Sequence, residues 1–187
     1  MKTLRWLAAF ALLLGLVRGG DACIEALTLP EMVQKTDTAV LGTITDVHTV
    51  RFVPLGENRM IYTVVTIEGE DLYTGEKRTM EAAFLGGVHQ GDAMLVTSMP
   101  APSEYRLGNE VLIFSGPVEG WGPDIERCIY SAMGGIFRTV DTHKGLVILG
   151  KGEGTAVARN QRLTDLRTGI ASALESRPEG ENEEAGR

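Results

Sequence analysis

From Ala39 to Leu149 the chain is a succession of short β-branched and aromatic runs broken by Gly and Pro, and no amphipathic helix interrupts them. That feature excludes a doubly wound parallel sheet, which needs a crossover helix between successive strands. Ala39 to Phe52 reads as one long strand with imperfect alternation. Val40 and Ile44 share one parity, and Leu41 and Val47 the other. Gly42 inside that run predicts a bulge or sharp bend. Met60 to Ile67 is the clearest strand, Arg78 to Leu85 the third, and Glu110 to Ser115 a buried one. Gly86 to Asp92 reads as a Gly-rich loop before a short strand at Met94 to Thr97. Pro100 to Gly108 is a second loop and Gly116 to Pro123 turn chemistry. Cys128 to Met133, Ile136 to Val140 and Gly145 to Leu149 complete about seven short strands.

Helices flank this β region. Thr28 and Glu31 form a capping-box pattern for a helix over 27–36, with Leu27 and Met32 placed as its hydrophobic staple. Leu163, Leu166, Ile170, Ala173 and Leu174 make one apolar stripe over 163–176, with Thr164 as its expected cap. The expected fold is mostly β: a small antiparallel Greek-key barrel of the oligonucleotide/oligosaccharide-binding type, with a short N-terminal helix and a C-terminal helix. A β-sandwich is the alternative. The expected organisation is a signal peptide at 1–22, one barrel domain at 23–176 and a disordered acidic tail at 177–187.

The export signal rests on Lys2 and Arg5, twelve apolar residues from Trp6 to Val17, and small residues at Gly20 and Ala22 before Cys23. Twelve residues fall short of the roughly 20 that span a bilayer. No other stretch is as apolar, so no transmembrane segment is expected in the mature chain. A secreted or periplasmic location follows. Lipid attachment at Cys23 is the variant, although Gly20 stands where lipoprotein signals carry a Leu-like residue. Losing residues 1–22 takes the formal net charge from −7 to −9. An acidic surface disfavours nucleic acid as a partner.

Cys23 and Cys128, the two cysteines, are expected to form a disulfide in an exported chain. Its closed loop would stabilise by about 4–5 kcal/mol in the entropy model. No catalytic constellation is legible, and the chain is expected to be no enzyme. His48 reads as a solvent-face strand residue, and His143 lies in a turn. His89 beside Asp92 would be the pair for a small hydrolase, but no nucleophile accompanies them. Glu68, Glu70 and Asp71 read as solvated acids at a strand end. Gly150 to Gly154 lacks phosphate-loop spacing and reads as a flexible turn. No metal or cofactor is expected. Tyr62, Phe84, Phe114 and Phe137 read as core, while Trp121, in a Gly-Trp-Gly-Pro loop, could anchor a partner or fold back on the barrel.

A mature N-terminal Cys23, a short helix, and the run from Asp37 to Val47 together resemble the start of netrin-type modules, including the tissue inhibitors of metalloproteinases. The segment Gly108 to Phe114 is similar to one in exported bacterial proteins with this strand order. The resemblance covers the first third of the chain and continues as layout. It implies an oligosaccharide-binding-type barrel and a binding module acting through Cys23, whose terminus would dock on a protease zinc. This chain lacks the inhibitors' Cys-x-Cys start, having Cys23-Ile24-Glu25, and has cysteines for one disulfide where they carry several. The expected partner is thus an exported protein such as a metalloprotease. The alternative is a structural or envelope-associated domain that the disulfide merely staples.

Overall fold

A computed structural model describes residues 26–53 and 59–177 of the 187-residue chain. The expected signal peptide, Cys23, the Pro54–Asn58 loop and tail residues 178–187 lie outside the described residues.

Helix α1 spans Leu29–Lys35. Thr28 and Glu31 complete the capping box, with both the Thr28 backbone N–H and hydroxyl donating to the Glu31 carboxylate at 2.7 Å. Leu27 and Met32 are buried in one cluster, as a staple requires. Among the described residues ten strands follow: β1 (Thr38–Phe52), β2 (Met60–Asp71), β3 (Lys77–Leu85), β4 (Gly87–His89), β5 (Asp92–Met94), β6 (Glu110–Pro117), β7 (Arg127–Ile129), β8 (Ile136–Thr142), β9 (Gly145–Ile148) and β10 (Gln161–Arg162). Helix α2 closes the domain at Leu163–Glu175. Its cap position is Arg162, two residues before the expected Thr164, which lies within the helix.

Strands β1, β2, β3, β7 and β6 form a closed five-stranded barrel, because β6 pairs back onto β1 from Thr38↔Ser115 to Thr43↔Glu110. The barrel, not the sandwich, is the architecture. One contact departs from the antiparallel expectation: β3 and β7 are parallel, meeting at Ala83↔Cys128. The expected Gly-rich loop at 86–92 is largely the β4–β5 hairpin, with Gln90 and Gly91 at left-handed φ in its turn. The strand expected at 94–97 ends at Met94.

The long first strand explains its own broken alternation. The register shifts between Ile44 and Asp46, which makes Thr45 the bulged residue. Before the bulge, even-numbered Val40 and Ile44 face the barrel interior, and after it Val47 does. An inserted residue flips which face each side chain takes. The odd residues Ala39 and Leu41 meanwhile pack under the helices. Gly42 serves a different purpose from the expected bulge. It pairs with Gly69, and a Cβ on either would lie 2.0–2.2 Å from a carbonyl oxygen of the other strand. Only glycine permits that approach.

Three apolar clusters result. Val65, Ile67, Phe84, Val111, Ile113 and Ile136 fill the barrel with Val40 and Ile44. Met32, Val33, Leu112, Phe114, Phe137, Leu166 and Ile170 join the helix pair to the outside of β1, β6 and β8. Tyr62, Val64, Ala83 and Ile125 form the third, on the outer side of β2 and β3. The predicted stripe on α2 is what buries: Leu166, Ile170 and Ala173 are at most 3% exposed.

Two polar ties overturn the sequence reading of their residues. Asp71 is 1% exposed. Its carboxylate accepts from the Thr38 hydroxyl at 2.7 Å, the Tyr73 N–H at 3.0 Å and Arg78 at 3.0 Å. It is a buried knot between β1 and the β2–β3 turn, not a solvated acid. Glu70 is held by Arg167 of α2 through two bonds of 2.7 Å. Arg177, the first residue of the expected tail, is anchored as well. Its guanidinium donates to the carbonyls of Val33 and Thr36, capping the end of α1.

Candidate functional site

The site is built where β7 gives way to β8. Both strands pair with β6, β7 through Ser115–Pro117 and β8 through Val111–Ile113. Between them, Phe114 receives the Tyr130 N–H on its carbonyl at 3.0 Å and donates its own N–H to Gly135 at 2.8 Å. The four residues Ser131–Gly134 are therefore looped out of what is otherwise one strand. Ser131 and Ala132 take left-handed φ values of 54° and 44°. Such a backbone on non-glycine residues costs on the order of 1 kcal/mol or more each. Gly135 closes the loop, since a Cβ there would lie 2.0 Å from the Tyr130 carbonyl oxygen. The Met133 N–H donates to Ser98 at 2.9 Å, and the Lys151 ammonium donates to the Met133 carbonyl at 2.6 Å. The run expected as a β-strand over 128–133 is thus strand only to Ile129, then a short 3-10 turn at Ala132–Gly134.

This excursion forms one wall of a groove of about 390 Å³, and Trp121 forms another. Trp121 sits in the β6–β7 connection, folded back on the outer side of β2. Its ring lies 4.8 Å from that of Tyr62 at an interplanar angle of 33°. Gly120 and Gly122 on either side adopt φ of 79° and 108°, which turns the chain to seat the ring. Of the two roles the sequence leaves open to Trp121, packing on the barrel is realised, yet the ring still lines an open groove.

Cys128 lines the same groove. Ile129 beside it points into the barrel, so the Cys128 thiol faces outward. Among the described residues it has no disulfide partner, and burial pushes its pKa up. Its expected partner Cys23 lies outside the described residues. The structure therefore brings together Cys128 and Trp121, which the sequence suggested separately. It adds Tyr130, Ser131, Ala132 and Ser98, which sequence reasoning missed. The pair Gly134-Gly135 was the one signal for the excursion.

The other candidates do not assemble. His89 and Asp92 face each other in the β4–β5 ladder, but Asp92 is taken by Arg51 at 2.5 Å. His89 Nδ1 lies 3.0 Å from the Thr49 carbonyl oxygen, within β1. His48 is on the exposed side of β1 beside Asp46, at 2.8 Å. His143 lies in the β8–β9 turn. Lys151 is no loose turn residue: it pairs with Glu104 at 2.5 Å, lies 5.4 Å from the centre of the Phe137 ring, and burial lowers its pKa. A wider depression of about 560 Å³ beside the β2–β3 turn is lined by Glu70 and Arg78, which already hold Arg167 and Asp71. Among the described residues no three His, Cys, Asp or Glu side chains converge as a metal site, and no helix is long and apolar enough to cross a membrane.

No family model, curated protein or solved structure matches the chain.

Proposed function

We propose that the exported chain is a non-enzymatic binding module that offers its mature amino terminus, Cys23, to a partner protein, with a metalloprotease as the partner. The observation that carries this is how soon after Cys23 the backbone becomes fixed. Leu27 is 4% exposed and its N–H donates to the Gly154 carbonyl at 3.2 Å, and the capping box of α1 begins at Thr28. A terminal amine and carbonyl with three residues between them and Leu27, once tied to the barrel by a disulfide, would be preorganised to chelate a metal in a five-membered ring. The closed barrel with its flanking helices supports the same reading.

The Cys23–Cys128 bridge belongs to the proposal. Gly116, the ladder partner of Cys128, lies beside the Lys35 carbonyl at the far end of α1 from Ala26. That helix is about 10 Å long at seven residues, and three extended residues cover about 10 Å. The bridge is thus a demanding one that would hold the terminus against α1.

The test is inhibition of a zinc metalloprotease by protein starting at Cys23 and by protein carrying one extra alanine before it. The expected result is inhibition by the first, weakened at least about tenfold in the second. Equal inhibition by both, or none by the first, overturns the proposal.

A further inference from the structure

We propose that the groove between Trp121 and the Ser131–Gly134 excursion binds a small, neutral, aromatic ligand. Of the lining residues, Cys128 is the one that the bridge proposed above also uses. Its volume, about 390 Å³, falls in the range of small-molecule pockets, which are mostly apolar with a few polar groups. The lining has that character. Leu85 and Ala132 supply apolar surface, Trp121 an aromatic wall, and Ser98 and Ser131 hydroxyls.

The charge pattern selects the ligand. Among the described residues, none that lines the groove carries a charged side chain, in a chain whose formal net charge is −7. An ionic ligand would enter without a counter-charge, and an anion would also meet the field of the whole protein. A planar aromatic group suits the Trp121 wall, which already takes part in ring stacking with Tyr62.

The backbone gives a second, separate reason. The ladder to β6 runs up to Tyr130 and resumes at Gly135, so pairing alone does not call for four looped-out residues. Left-handed non-glycine residues cluster at ligand clamps, and bulges beside sites re-aim side chains. Here the two strained residues, Ser131 and Ala132, are the ones that line the groove.

Residues 23–187 contain one tryptophan, Trp121, because the chain's other one is Trp6. Its emission therefore reports on the groove directly. The experiment titrates this protein with N-phenyl-1-naphthylamine, following Trp121 quenching and the probe's own emission. We expect saturable one-to-one binding. Ser98→Tyr, which fills the groove, should weaken it at least about tenfold with an unchanged circular dichroism spectrum. The anionic analogue 8-anilinonaphthalene-1-sulfonate should also bind at least about tenfold more weakly. Should Ser98→Tyr misfold, Trp121→Ala read on the probe's emission serves instead, with the same loss expected. Non-saturating quenching, unchanged affinity in the folded variant, or preference for the anionic analogue overturns the proposal.

Discussion

Single residues carry much of this architecture, and Asp71 carries the most. Its carboxylate is buried and accepts from Thr38, Tyr73 and Arg78. Removing one member of such a knot leaves the others buried without a partner. Asp71→Ala should therefore cost about 3 kcal/mol in urea denaturation, whereas an exposed acid would cost almost nothing. Glycines give a sharper comparison. Gly69→Ala places a Cβ 2.0 Å from the Leu41 carbonyl oxygen, while at Gly116 the nearest atom is an ordinary 3.5 Å away. We expect a loss of about 3 kcal/mol or more at Gly69 and a near-neutral effect at Gly116, both read as shifts in the urea midpoint. Neither residue's role was legible locally. The sequence around Asp71 shows only acids at a strand end, and its burial depends on Thr38, 33 residues earlier. Gly42 was noticed, but its meaning lies in Gly69 across the ladder.

At the scale of elements, local patterns were legible and long-range ones were not. The capping box of α1 and the stripe of α2 depend on residues three and four apart, and both formed as expected. The bulge at Thr45 shows the limit. A parity flip was visible in Val40, Ile44 and Val47, but glycine drew the assignment to position 42. How α2 is fastened was invisible, because Glu70 and Arg167 are 97 residues apart. Arg167's hydrogen bonds hold the Glu70 carboxyl below its usual pKa. A depressed carboxylate contributes stability above its unfolded value of about 4.3, and loses it as pH falls through the lower folded value. Arg167→Ala should therefore cost about 0.5–1 kcal/mol at pH 7, with the gap to the unmodified protein closing towards pH 2. Arg177→Ala should cost about 1.5 kcal/mol in thermal denaturation, since its charged donor caps the carbonyls at the end of α1.

The whole molecule is a closed barrel with a helix pair on one side and a Trp-walled groove on another. Its class was legible because a succession of about seven strand-like runs with no crossover helix leaves few ways to bury both faces. The parallel β3–β7 contact was not, since it rests on one paired position, Ala83 with Cys128. The groove was illegible for the same reason: Ser98, Trp121 and Ser131 meet only through the fold. The proposed function depends on the state of the terminus that precedes this body. The most direct test is the intact mass of the protein purified from its own cells and their medium, measured with and without reductant. The account predicts a chain that begins at Cys23 and gains two hydrogens on reduction. A chain beginning elsewhere, a lipid adduct on Cys23, or an unchanged mass on reduction would contradict it.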